Sequence, residues 1–133
     1  MRRLAFADYA SRVWLEGNVL YYVDPPHPCL ESVEVMMRRS RELTRGLRRW
    51  FMVIDLGQVE RRVSPRTLAA IIKHAATLEA ELIAVHSVQA PRLLAAAVRM
   101  VVRALSGRAA LCADEAEARR AVQLLSGGAR GTD

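Results

Sequence analysis

The chain has 133 residues, 20 basic against 14 acidic for a formal net charge of +6, and Lys73 is its only lysine. At this length one domain is expected, able to remove about two thirds of the unfolded surface from water, so no disulfide or metal staple is required. With 52% apolar and 26% charged residues, the composition excludes a disordered, a collagen-like and a membrane-embedded chain.

Met1, Arg2 and Arg3 begin like a basic leader, but the apolar stretch Leu4 to Ala7 stops at Asp8, too soon for a signal peptide. Later apolar runs such as Leu93 to Val98 are flanked by Arg92, Arg99 and Arg103 and fall short of the roughly 18 residues of a membrane span. A cytoplasmic protein is expected, with Cys29 and Cys112 kept as thiols and Cys112 in the core.

Arg12 to Leu15 and Val19 to Val23 read as strands of an antiparallel hairpin, turned by Glu16, Gly17 and Asn18. Asp24, Pro25, Pro26, His27 and Pro28 form a stiff extended connector, since each proline fixes its own φ and disfavours helix before it. From Leu30 the period becomes helical, with Leu30, Val33, Met36, Met37, Ser40, Leu43 and Leu47 on one face and Gly46 near the end. Trp50 to Leu56 is a continuous apolar run closed by Asp55, a strand buried on both faces.

Ser64 and Pro65 read as N-cap and first helical residue, with Leu68, Ile71, Ile72, Ala75 and Leu78 as the apolar stripe behind them. Leu82 to Val85 is a strand, Pro91 opens a helix to about Leu105, and Gly107 ends it. Ala109 to Cys112 is a short strand. Asp114 and Glu117, in N-cap and N3 relation, start a last helix with Ala118, Ala121, Val122 and Leu125 inward. Residues 127–133 are small and polar and are expected to be a disordered tail after one domain, 1–126. The order ββαβαβαβα demands crossover connections, hence an α/β fold: a mostly parallel sheet with an N-terminal antiparallel hairpin and helices packed on it.

Tests for chemistry find little. Neither GxGxxG nor GxxxxGK is present, which argues against Rossmann and P-loop sites. His27, His74 and His86 do not converge with the cysteines in a metal-ligand spacing, so no metal or other cofactor is expected. Ser87 follows His86 directly, but neighbours on a strand point to opposite faces, and no GxSxG elbow surrounds a serine. Asp55 stands where α/β enzymes often keep a carboxylate, yet alone it serves to cap the following loop. His74, beside Lys73, reads as solvated.

The arginines are better placed. Arg38, Arg41, Arg45, Arg48 and Arg49 project within about a 100° arc of the first helix, away from its apolar stripe. Arg92, Arg99 and Arg103 line one face of the 91–105 helix. Such stripes suit an acidic protein, a nucleic acid or an anionic surface, although the few aromatics do not interleave with them as single-strand binding requires. The rest of the 91–105 helix is apolar over more than one sheet face covers, so a homodimer through it is expected.

Several strings resemble the SpoIIAA-like superfamily that includes STAS domains, the anti-sigma-factor antagonists, and in particular its uncharacterised bacterial STAS/SEC14-like branch. They are Leu15-Glu16-Gly17-Asn18-Val19, Val53-Ile54-Asp55-Leu56 with Val59 and Val63-Ser64, Val85-His86-Ser87 before an arginine-bearing helix, and Ala113-Asp114-Glu115-Ala116-Glu117-Ala118. The likeness spans about residues 12–126. It implies a non-enzymatic module that regulates by binding a partner protein, with Ser64 nearest the family's phosphorylated serine. The family's Asp-Ser-Ser-Gly is replaced here by Val63-Ser64-Pro65-Arg66, which favours Ser64 as a plain N-cap. The alternatives are a SEC14-like carrier of an apolar or lipid ligand and an arginine-mediated nucleic-acid binder.

Overall fold

The computed structural model describes residues 6–59, 64–86 and 107–131, together with Arg99 and Arg103. In chain order the elements are α1 (Phe6–Ala10), β1 (Val13–Glu16), β2 (Val19–Val23), α2 (Leu30–Thr44), β3 (Phe51–Asp55), α3 (Pro65–Thr77), β4 (Ile83–His86), β5 (Ala109–Cys112) and α4 (Glu115–Gly131). The strands make one sheet in the order β1-β2-β3-β4-β5. Only the β1 and β2 pair is antiparallel, and the rest are parallel. This is the α/β fold that the alternation of strands and helices requires.

Local chemistry sets the ends of the elements. Gly17 adopts φ +62° in a two-residue connection, a turn whose hand matches the twist of the flanking strands. The start of α2 is capped by Cys29, whose cap role a thiol does not announce in sequence: the Cys29 thiol accepts from Ser32 N–H at 3.4 Å, and Ser32 Oγ accepts from Cys29 N–H at 2.9 Å. α2 stops at Thr44 because Arg45 turns extended (φ −59°, ψ 124°) and Gly46 takes φ +90°, a conformation that disfavours a side chain. For α4, Asp114 Oδ1 accepts from Glu117 N–H at 2.9 Å, while Glu117 reaches back to Ala113 N–H at 2.7 Å.

The parallel strands bury both faces. On one, Leu20, Tyr22, Met52, Ile83 and Val85 pack with Val33, Met36 and Met37 of α2 and with Tyr9 of α1. On the other, Tyr21, Phe51, Val53, Ala84 and Cys112 pack with Ala118 and Val122 of α4. Period-2 alternation thus sends neighbours such as Phe51 and Met52 into different cores. The antiparallel hairpin forms one edge of the sheet, with β1 outermost.

Three expectations change or lie beyond view. α1 was not foreseen, since five residues are too few to display a helical period. Residues 127–131, expected to be disordered, continue α4 to Gly131. Gly127 and Gly128 each cost about 1 kcal/mol relative to alanine, which weakens a helix without removing its hydrogen bonds, and no proline follows to stop it. Of the expected 91–105 helix, Arg99 and Arg103 are helical and exposed. Arg92, the rest of that segment and the dimer expected through it lie outside the described residues.

Candidate functional site

The arginines of α2 and its exit do not form the single stripe expected. Arg38 and Arg41 are on the helix, Arg45 is its C-cap and Arg48 and Arg49 follow Gly46, so the left-handed glycine breaks the arc. Arg41 is tied to α3, donating to His74 Nδ1 at 2.9 Å and to Thr77 Oγ1 at 3.0 Å. Burial, and then the Arg41 charge, hold His74 below its ordinary pKa, which keeps the ring neutral and able to accept. His74 is therefore a half-buried link between helices and not a solvated group. Arg49 is paired with both oxygens of Glu81, and its hydrogen bonds hold that carboxyl below the usual range. Arg39 pairs with Glu42 at 3.7 Å. Arg38, Arg45 and Arg48 are exposed and make no ion pair among the described residues.

Ser64 is the N-cap of α3. Its Oγ accepts from Thr67 N–H at 3.1 Å and its hydroxyl donates to Thr67 Oγ1 at 2.9 Å. Ser64→Ala will lower the unfolding free energy by about 1 kcal/mol, whereas Ser64→Asp, which can accept the same bond, will lose less. Urea denaturation of the two variants measures the difference.

The face of the hairpin turned toward α4 carries a stack that spacing did not reveal. Trp14 lies 5.5 Å from Tyr21, at 16° between planes, and the Arg119 guanidinium sits 4.6 Å over the Tyr21 ring. Arg119 is held in turn by Glu115 at 3.2 Å and Glu16 at 3.8 Å. An arginine and the aromatics do meet, although from opposite ends of the chain. Trp14 stays 39% exposed and borders two depressions. One, of about 500 Å³, lies between β1 and α2 with Val13, Val35, Arg38 and Arg39 in its wall. The other, of about 410 Å³, is bounded by Arg12, Val23 and Gln58.

The carboxyl ends of the parallel strands bring polar groups together, as they do in open α/β sheets generally. Val23, Asp55, His86 and Cys112 are in register across four strands. Asp55 Oδ1 accepts from Gly57 N–H at 2.7 Å, the loop cap expected of it, and His86 is buried. Cys112 is a core residue, its thiol pushed up by burial and next by Glu117 and Asp114.

Asp24, one residue past β2, is the group that sequence reasoning missed. It is 6% exposed, and burial pushes its carboxyl up to about 7, with Asp55 adding to the shift and Arg12 opposing it. Its Oδ1, the Tyr22 hydroxyl and His27 Nδ1 are buried without a hydrogen-bond partner among the described residues. Burial, then the Asp24 charge, drives the Tyr22 phenol well above its ordinary pKa. Arg12 closes the neighbourhood, donating to Gln58 Oε1 at 2.9 Å and to the Asp24 carbonyl at 3.4 Å. Below about pH 7 this edge therefore holds a protonated carboxyl beside a phenol, and as pH rises through about 7 the carboxyl takes on charge. The one available signal was the position of Asp24 at a strand's carboxyl end.

Comparison with models of protein families, with characterised proteins and with solved structures finds no match for this chain. Among the described residues no helix is long and apolar enough to cross a membrane.

Proposed function

We propose that the protein is a non-enzymatic regulatory module, of the STAS-like kind its sequence resembles, that docks an acidic partner protein on the arginine surface at α2 and its exit. The observation that carries this reading is that Arg38, Arg45 and Arg48 are exposed and without ion pairs among the described residues. Their neighbours Arg41 and Arg49 are engaged within the fold. Three exposed guanidiniums within one stretch of chain, without ion pairs among the described residues, create a field that steers an acidic surface toward them and gains bidentate carboxylate contacts on docking. Charges at the rim of an interface act mainly on association rate and salt dependence.

The test is co-purification from the native host, with the native chain and with an Arg38→Glu/Arg45→Glu/Arg48→Glu chain as baits. Recovery of an acidic partner will fall about tenfold on charge reversal, the change expected from losing about 1.4 kcal/mol of docking energy. Recovery by the native chain will also decline as salt is raised. Equal recovery by the two baits would overturn the proposal.

A further inference from the structure

We infer that the outer edge of β1 takes up an extended, carboxylate-bearing segment of a partner protein as a sixth strand, lodged against α2. This rests on the reading of the chain as a partner-docking module and names where on the molecule the docking is centred. β1 ends the sheet, so among the described residues one side of its backbone has no strand beside it. Val23 N–H donates to Arg12 O at 3.0 Å, and the register runs Val13 to Tyr22 and Trp14 to Tyr21. Arg12, Trp14 and Glu16 therefore turn their backbone groups toward β2, and Val13 and Leu15 turn theirs outward, because the two kinds of pair alternate in an antiparallel ladder. No backbone hydrogen bond joins these outward groups to a described residue.

Sheet edges in soluble proteins are normally blunted by lysine, proline, a bulge or a covering element. β1 reads Val13-Trp14-Leu15-Glu16, with its one charge at the end and a partly exposed indole in the middle. The space alongside has the dimensions of a strand. Val35, Arg38, Arg39 and Glu42 border it from α2, spanning two helical turns or about 10 Å, and three to four residues of extended chain cover about the same distance. Side chains of an added strand alternate between the faces of the sheet. On one face they meet the depression walled by Val13, Val35 and Arg38, and on the other the depression bounded by Trp14, Arg12 and Gln58. Backbone pairing with a recess for alternate side chains is the way sheet edges recognise peptides.

Charge selects the occupant. Arg38 has no carboxylate partner among the described residues, so acidic side chains on the incoming strand are favoured. A second copy paired edge to edge would instead bring two such arginine borders onto one face of a joined sheet, where like charges oppose the contact.

The test selects peptides for the full chain from a phage-displayed library of random dodecapeptides. Enriched peptides will alternate acidic and apolar residues. Leu15→Pro will weaken their binding at least tenfold, since it removes an outward N–H at an edge position where proline is tolerated. Methylating alternate backbone amides along one edge of an enriched peptide will weaken binding equally, and methylating the other edge will not, which decides the matter even if the Leu15→Pro chain does not fold. Absence of enrichment, or binding indifferent to methylation on either edge, overturns the inference. If the native partner is lost on arginine reversal but binds the folded Leu15→Pro chain unchanged, strand addition fails and the docking proposal stands. If enriched peptides meet every condition while the native partner ignores arginine reversal, the docking proposal fails and the edge site stands.

Discussion

Between about pH 5 and about pH 8 the native chain will lose about 3 kcal/mol of unfolding free energy that an Asp24→Asn chain retains. The folded protein keeps a proton on Asp24 until pH about 7, whereas the unfolded chain releases it near the ordinary value of about 3.9. In that interval the folded state binds more protons than the unfolded one, so stability falls as pH rises, by about 1.4 kcal/mol per unit until the folded carboxyl ionises. The cause is burial, since a carboxylate in this position has lost its contact with water, which disfavours the charged form. Asparagine keeps the shape and removes the charge, so at pH 8 the variant will be the more stable of the two. Urea denaturation at several pH values measures this, and equal slopes for the two chains would place Asp24 in water.

Phe51→Ala will lower the unfolding free energy by about 4 kcal/mol. Phe51 is 1% exposed in β3 and belongs to the cluster that joins the sheet to Ala118 and Val122 of α4. Truncation removes its buried ring and leaves a cavity that strands paired on both sides cannot collapse to fill. Because the cavity opens under α4, hydrogen exchange will increase most along that helix, while amides of α2, on the opposite face, will show only the global change. A loss below about 1 kcal/mol would mean that α4 does not pack on this face.

Much of the fold was legible because its signals are local. Gly17-Asn18 between two β-rich runs makes a hairpin whatever the rest of the chain does, Ser64-Pro65 starts a helix, and Asp114 with Glu117 starts another. The unbroken apolar run of β3 announced a strand covered on both sides, and Phe51 and Met52 do enter separate cores. The C-terminal end of α2 was harder. Arg48 and Arg49 continue the helical spacing on paper, but Gly46 at φ +90° ends the helix before them, and a period counted in residues does not register a change of backbone direction.

The candidate surface was legible only in part, for a related reason. Periodicity tells which side of an element is apolar, not which elements are neighbours. Asp24 stood in a proline-rich connector and read as a spacer, and its burial comes from lying at the carboxyl edge beside the strand that ends in Asp55. The stack of Trp14, Tyr21 and Arg119 unites the first hairpin with the last helix, and no spacing rule connects residues so far apart.

From the sequence alone come the α/β class, the hairpin, the Ser64 and Asp114 caps and the excess of arginine, since each depends on residue type and on neighbours a few positions away. Which arginines remain available was decided by the tertiary structure. The sheet order brings His74 and Thr77 to Arg41, and Glu81 to Arg49, while Arg38, Arg45 and Arg48 are left facing water. Guanidiniums that are identical in sequence differ in the fold because a carboxylate or imidazole within hydrogen-bonding distance satisfies some of them and not the others.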